Sequence, residues 1–222
     1  MNARTDILAR LRDTLDRQQG RADREAAVAR RLQNPPLAQI PKRGQTSGAQ
    51  LRDTFIEEAR HADAQVHRLA GVRDIPAAVR LALDNAHINA LKITPHPTLK
   101  ALDWAGMDVQ FGPGLGGDHL GLSVAYAGVA ETGTLVMVSG PTSPVTLNFL
   151  PDVHMVVILE RDLVANYEAV WQRLRDAAPP GAGFLPRTVN WITGPSRTAD
   201  IEQTLLLGAH GPRKLIILLI DG

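Results

Sequence analysis

Short apolar segments alternate with helical patterns through most of the chain after residue 64, and this alternation constrains the fold more than any other feature. Strands that alternate with helices form largely parallel sheets, because each helix carries the chain back across the sheet. The pattern predicts an α/β fold with a single mixed, mostly parallel sheet flanked by helices. The predicted strands are residues 65–69, 91–94, 107–111, 153–159 and 214–220, and the clearest helices are residues 75–85 and 166–177.

The first 48 residues differ from the rest in pattern and in charge. Apolar residues recur at helical spacing from Ile7 to Leu15, and Asn34-Pro35-Pro36 ends the helical region. Residues 1–43 carry ten Lys and Arg against five Asp and Glu, whereas the remainder carries fourteen against eighteen. We predict a helical arm and linker at 1–48 and one α/β domain at 49–222. The basic arm is either a solvated helix or an element that packs on the acidic body or on an acidic partner.

Composition excludes several classes of protein. The 222 residues include 0 cysteines, so the chain has no disulfide, no catalytic thiolate and no thiolate ligands for zinc or an iron–sulfur cluster. A formal net charge of +1, with acids interleaved in an arm that lacks aromatic residues, argues against nucleic acid binding. The longest apolar run, Leu215–Ile220, is far shorter than the ~20 residues that span a bilayer. We expect a cytoplasmic protein without a membrane span, and an oligomer stays possible.

The turn at Glu131-Thr132-Gly133 is the first candidate site. It joins two strand-like segments, residues 120–130 and 134–139. A glycine lets backbone amides approach a ligand, and a carboxylate can act as a base, a nucleophile or a hydrogen-bond acceptor. We predict Glu131 as a catalytic residue, with Thr132, Gly133 and Thr134 as substrate-binding residues. The alternative is a bulge in which Glu131 caps local amides.

The second candidate site follows the predicted strand at 189–193. Gly194, Ser196, Arg197 and Thr198 precede a predicted helix at 199–207, and hydroxyls, a guanidinium and helix amides together bind carboxylates or phosphates. The alternative is a capped helix with Arg197 paired to an acid. Elsewhere, the hydroxyls of Ser139 and Ser143 lie between strands and are predicted to bind substrate.

Three further features carry weaker signals. Gly112–Gly117 satisfies the G-x-G-x-x-G pattern, but a strand rather than a helix follows, so a flexible glycine-rich loop is the better interpretation. No histidine has a neighbour at metal-ligand spacing, and we predict no metal site. His154 and His210 are interpreted as structural.

Four segments together resemble the LUD-domain lactate-utilisation protein C family. They are GVAETGT at 128–134, LNFLPDVH at 147–154, ITGPSRTADIE at 192–202 and GAHGP at 208–212. The resemblance extends over about the last two-thirds of the chain, and the N-terminal helical arm is also similar. It implies a fold like that of the NagB, RpiA and CoA-transferase superfamily for residues 49–222.

The resemblance also implies a function. It predicts a component of a system that oxidises L-lactate to pyruvate together with two iron–sulfur partner proteins, with no cofactor bound by this chain itself. In this hypothesis a small carboxylate or other anion binds near Glu131 and Arg197. The alternative is an independent enzyme or regulatory binder that acts on small carboxylates, CoA esters or phosphorylated metabolites.

Overall fold

A computed structural model describes residues 3–18, 20–34, 39–88, 90–179, 183–199, 205–208 and 210–221. The chain divides into two compact units, residues 1–39 and residues 40–222. The first unit contains helices α1 (Ala3–Gln18) and α2 (Arg21–Gln33). In α2, Asp23 lies in the first turn and Arg30 and Arg31 lie in the last, which complements the helix dipole. The predicted arm is therefore helical, and the predicted boundary at residue 48 stays a prediction.

A six-stranded parallel sheet forms the centre of the second unit, which confirms the predicted α/β class. The strands follow the order β1-β12-β7-β4-β2-β3, and every neighbouring pair is parallel. Near-continuous apolar sequences such as KLIILLI are typical of parallel strands that are buried on both faces. The strands are β1 (Gln65–Leu69), β2 (Ala90–Ile93), β3 (Asp108–Phe111), β4 (Leu120–Val124), β7 (Val153–Leu159) and β12 (Lys214–Ile220).

A second, four-stranded sheet covers one face of the central sheet. Its strands, in the order β8-β5-β6-β9, are β5 (Ala127–Val129), β6 (Thr134–Val138), β8 (Leu163–Val164) and β9 (Val189–Ile192). The predicted strand at 120–130 is divided between the two sheets. The N–H of Ala125 donates to Val157 of the central sheet, and the next N–H, that of Tyr126, donates to Val136 of the second sheet, each at 2.8 Å.

Four helices complete the second unit. Helix α3 (Gly48–His61) packs with β6 against one face of the central sheet, α4 (Ile75–Ala86) covers the other face, and α5 (Pro97–Lys100) is a single turn. Helix α6 (Tyr167–Asp176) packs on the outer face of the second sheet through Val170 and Leu174. The second sheet thus lies between the central sheet and α6.

The predicted helix at 199–207 is wrong for the residues that the structure describes. Strands β10 (Arg197–Ala199) and β11 (Leu205–Leu207) form an antiparallel hairpin, with Arg197 opposite Leu207; residues 200–204 lie outside the described residues. The ends of this hairpin are held by tertiary hydrogen bonds, because Gly208 donates to the Ser196 carbonyl and Ser196 donates to the Pro212 carbonyl. The helix N-terminus that would have bound an anion at Ser196 is therefore absent from this described segment.

Candidate functional site

Three segments that are distant in sequence meet at one cleft of about 250 Å³. The cleft lies at the amino ends of β7 and β12, where the loop after β9 approaches the central sheet. It receives residues from LNFLPDVH, ITGPSRT and GAHGP, three of the four segments that carry the family resemblance. The lining residues are Asn148, Phe149, His154, Trp191, Ile192, Thr193, Gly194, Pro195, Ser196, Arg197, His210, Gly211, Pro212 and Leu215.

Backbone contacts hold the loop after β9 in place. The Ser196 N–H donates to the Pro212 carbonyl at 2.8 Å, which joins this loop to the segment before β12. Gly194 has φ +72°, and a Cβ atom there would overlap the Ala62 carbonyl oxygen at the end of α3. Only glycine combines the left-handed conformation with so close an approach. The position of the cleft wall therefore depends on Gly194.

Arg197 lies at the cleft and is anchored to the end of α3. Its Nη2 donates to the Ala62 carbonyl at 3.0 Å and to the Asp63 carboxylate. A cation at this position complements the partial negative charge of a helix C-terminus. The pairing with an acid that the sequence left as an alternative is thus present, and Arg197 is also one of the residues that line the cleft.

The floor of the cleft contains two buried polar side chains with unused hydrogen-bonding atoms. His154 has 0% of its surface exposed, and its Nε2 lies 2.6 Å from Ser123 Oγ. Asn148 is 3% exposed. Within the described part of the chain, neither His154 Nδ1 nor Asn148 Oδ1 has a hydrogen-bond partner. Buried polar atoms are rarely left unpaired, so these two side chains mark the floor of the cleft as polar.

The imidazole of His154 is neutral at physiological pH. Burial lowers the pKa of His154 to about 3, because the charged form cannot be hydrated inside the protein. The neutral ring has one N–H and one acceptor nitrogen. His154 therefore adds a neutral polar group, and no charge, to the residues that line the cleft.

Glu131 lies outside the set of residues that line the cleft. It is 4% exposed, and its Oε1 accepts from the Tyr167 N–H at the start of α6, at 3.4 Å. Its Oε2 has no partner among the described residues and lies under Gly44, where a Cβ atom would be 2.6 Å away. The carboxylate is thus placed at a helix N-terminus and covered by the segment around Gly44. Its catalytic role stays a prediction.

A network of hydroxyls connects the Glu131 turn to the cleft. Thr193 lines the cleft, and its Oγ1 lies 2.6 Å from Thr134 Oγ1. The Tyr167 hydroxyl lies 3.0 Å from Thr134 Oγ1 and 2.9 Å from Thr132 Oγ1. Of the two predicted sites, the second contributes Gly194, Ser196 and Arg197 to the cleft directly. Among the described contacts, the first site is connected to the cleft through this network.

The other predicted binding residues have local structural contacts. Gly133 has φ +62° and packs against the Ala59 backbone of α3. Ser139 Oγ accepts from the Thr188 N–H at 2.9 Å, and Ser143 forms a backbone bridge with Gly140. The side chain of Thr198 lies outside the described residues. The structure does not bring Ser139 or Ser143 to the cleft.

Sequence reasoning missed Asn148 and interpreted His154 as structural. One signal was present: His154 is the polar residue of VHMVVIL, a strand that is otherwise apolar. Burying a polar side chain without a hydrogen bond costs free energy, so a histidine in a strand buried on both faces indicates a polar partner nearby. The tertiary neighbours that turn this signal into a site come from β4, β9 and β12.

In the described ranges, no group of three or more His, Asp or Glu side chains is arranged to hold a metal ion. No described helix combines the length and the apolar character needed to cross a membrane.

Comparison with known proteins identifies relatives of this chain. Residues 115–220 match the family model of the LUD domain. An uncharacterized protein of Neisseria meningitidis is 42% identical over 100 residues, which make up 45% of this chain and 41% of that protein. A lactate utilization protein C of Exiguobacterium is 35% identical over 101 residues, or 46% of this chain and 44% of that protein. The alignments span less than half of each relative's own length.

One solved structure shares the fold. A DUF162 family protein from Deinococcus radiodurans superposes with a TM-score of 0.59, over 80% of this chain and 99% of that chain, at 23% sequence identity. The superposition supports the α/β architecture described above.

Proposed function

We propose that this chain takes part in lactate utilisation, because its residues 115–220 match the LUD domain and it resembles lactate utilization protein C relatives. The observation that carries this proposal is the cleft, where three of the resembling segments meet around buried polar side chains. A cleft that combines apolar side chains with convergent polar groups is typical of a small-molecule site.

In the proposed reaction, L-lactate is oxidised to pyruvate by a complex of this chain and two iron–sulfur partner proteins. Lactate loses two electrons and two protons in this reaction, and the clusters of the partners accept the electrons. The chain has 0 cysteines and cannot hold such a cluster through its own thiolates. Its contribution is to bind the small anion, with Arg197 at the cleft supplying positive charge.

The test is lactate-dependent dye reduction by the complex purified from lactate-grown cells, with and without this protein. We expect omission to abolish dye reduction and re-addition to restore it. Activity that persists without the protein would rule out a required role in lactate oxidation. The search would then turn to carboxylates and CoA esters as ligands of the isolated chain.

The role of Glu131 is tested in the same assay with Glu131→Gln. This change keeps the size of the buried side chain and removes its charge. If Glu131 is the reactive carboxylate, the rate should fall by at least 100-fold, as expected for loss of a general base. Thermal unfolding of the variant serves as the control for a structural effect. Unchanged turnover in a folded variant would leave Glu131 with only its contact at the start of α6.

Arg197 is tested by substitution with alanine and with lysine. Arg197→Ala should weaken binding of L-lactate about tenfold, in line with loss of a hydrogen bond to a charged group. Arg197→Lys should retain part of the affinity, because it keeps the charge but loses the planar guanidinium. Equilibrium titration of the purified chain measures both. Equal affinity in the alanine variant and the unmodified chain would confine Arg197 to its contacts with α3.

A further inference from the structure

A short segment before α3 covers the carboxylate of Glu131. This segment, residues 40–45, is here called the strap, and it contains a single 3₁₀ turn at Lys42–Gly44. Gly44 is buried, whereas the other strap residues are exposed. A Cβ atom at Gly44 would lie 2.6 Å from Glu131 Oε2, so this oxygen faces the strap.

The strap is attached to the rest of the second unit by few contacts. The Asn166 side-chain amide donates to the Gly44 carbonyl at 2.8 Å, and within the described ranges this is the one hydrogen bond that joins the strap to a distant segment. Its other hydrogen bonds are internal, such as that from the Gly44 N–H to the Pro41 carbonyl at 2.9 Å. Internal bonds persist when the strap moves as a unit. A segment with exposed backbone and few buried contacts opens locally at a low cost in free energy.

The closed strap also leaves a buried oxygen without a partner. Glu131 is 4% exposed, and its Oε1 accepts from the Tyr167 N–H, but its Oε2 has no hydrogen-bond partner in the described part of the chain. Burying such an oxygen costs free energy, and water supplies the missing hydrogen bonds once the strap moves away. This cost offsets the contacts that hold the strap closed. The free-energy difference between the closed and open states is thereby reduced.

We propose that the strap is a lid that opens without unfolding of the second unit and gives solvent and ligands access to Glu131. In the closed state the strap is held by Asn166 and shields the carboxylate. In the open state Glu131 Oε2 and the Asn166 amide are both free to form new hydrogen bonds. The inference goes beyond the proposed function, and it rests on that function only for the reactive role of Glu131.

The test is carboxyl modification of the purified full-length chain with a water-soluble carbodiimide and glycine ethyl ester, followed by mass spectrometry. We expect Glu131 to react more slowly than Asp108, which is exposed on β3. Its rate should stay constant within about twofold as urea is added below the unfolding transition, because a local opening exposes little surface. A rate that rises in parallel with the unfolded fraction would overturn the proposal, and so would a rate equal to that of Asp108.

Asn166→Ser removes the hydrogen bond that holds the strap. Asn166 Oδ1 also accepts from the Ala169 N–H at the start of α6, and serine is equally suited to this capping role. The shorter serine side chain does not reach the Gly44 carbonyl. Loss of one hydrogen bond should raise the rate of Glu131 modification about 2- to 13-fold.

Gly44→Ala provides a second test that leaves Asn166 in place. The added Cβ atom would overlap Glu131 Oε2, so closure is hindered and the modification rate should rise towards that of Asp108. Gly140→Ala is the matched control, because a Cβ atom there has no atom within 4 Å. Thermal unfolding verifies that each variant is folded. Unchanged modification of Glu131 in the folded Asn166→Ser and Gly44→Ala variants would contradict the proposal. The experiment contains no lactate, so its failure is distinguishable from failure of the dye-reduction assay.

Discussion

The free energy of unfolding should fall steeply as the pH drops from about 6.5 towards 3, and His154 should cause a large part of that fall. The unfolded chain binds a proton at His154 with the ordinary pKa of 6.5, whereas burial in the folded chain lowers this pKa to about 3. Between these values the unfolded state holds the additional proton. Stability is therefore present above pH 6.5 and is lost as the pH falls, by up to about 1.4 kcal/mol per pH unit.

Urea unfolding at several pH values between 7 and 4 measures this slope. His154→Asn removes the titrating ring, and its stability should depend less on pH by up to about 1.4 kcal/mol per unit. His67→Asn is the matched control, because His67 is exposed on β1 and has no such burial. Parallel pH dependences for the unmodified chain and His154→Asn would show that His154 does not remain neutral in the folded state.

Gly133→Ala should destabilise the second unit by roughly 2–4 kcal/mol. Gly133 has φ +62°, a conformation that disfavours alanine, and a Cβ atom there would overlap the backbone N and Cα atoms of Ala59. The backbone of α3 cannot move aside as a flexible side chain would. The turn and α3 would have to separate, with loss of packing around Phe55.

The midpoint of urea unfolding measures this effect, with Gly140→Ala as the matched control. A Cβ atom at Gly140 has no atom within 4 Å, and its φ lies outside the left-handed region. We expect the control to change the stability by less than about 1 kcal/mol. Similar stability in the two variants would contradict the account of Gly133 as a residue that permits close packing. Loss of stability only at Gly133 would explain the glycine at this position by packing against α3, without a role in ligand binding.

Periodicity in the sequence predicted the elements of the central sheet, because local spacing reflects which faces are buried. The segments 65–69, 153–159 and 214–220 are all strands, and 75–85 and 166–177 are helical. Periodicity could not show that Ala125 and Tyr126 belong to different sheets. That division depends on Val157 and Val136, which are near in space but distant in sequence.

The same limit applies to the site. The residue types around Gly194 and Arg197 indicated a ligand-binding loop, and these residues do line the cleft. The sequence alone determined the α/β class, most of the elements and the ligand-binding potential of the loop around Gly194 and Arg197. Only the tertiary structure decided that residues 205–207 form a strand, that Glu131 lies under Gly44, and that Asn148 and His154 are buried with unpaired atoms in one cleft. Strand pairing, burial and hydrogen bonding each depend on contacts between distant segments, and local sequence patterns do not encode which segments will meet.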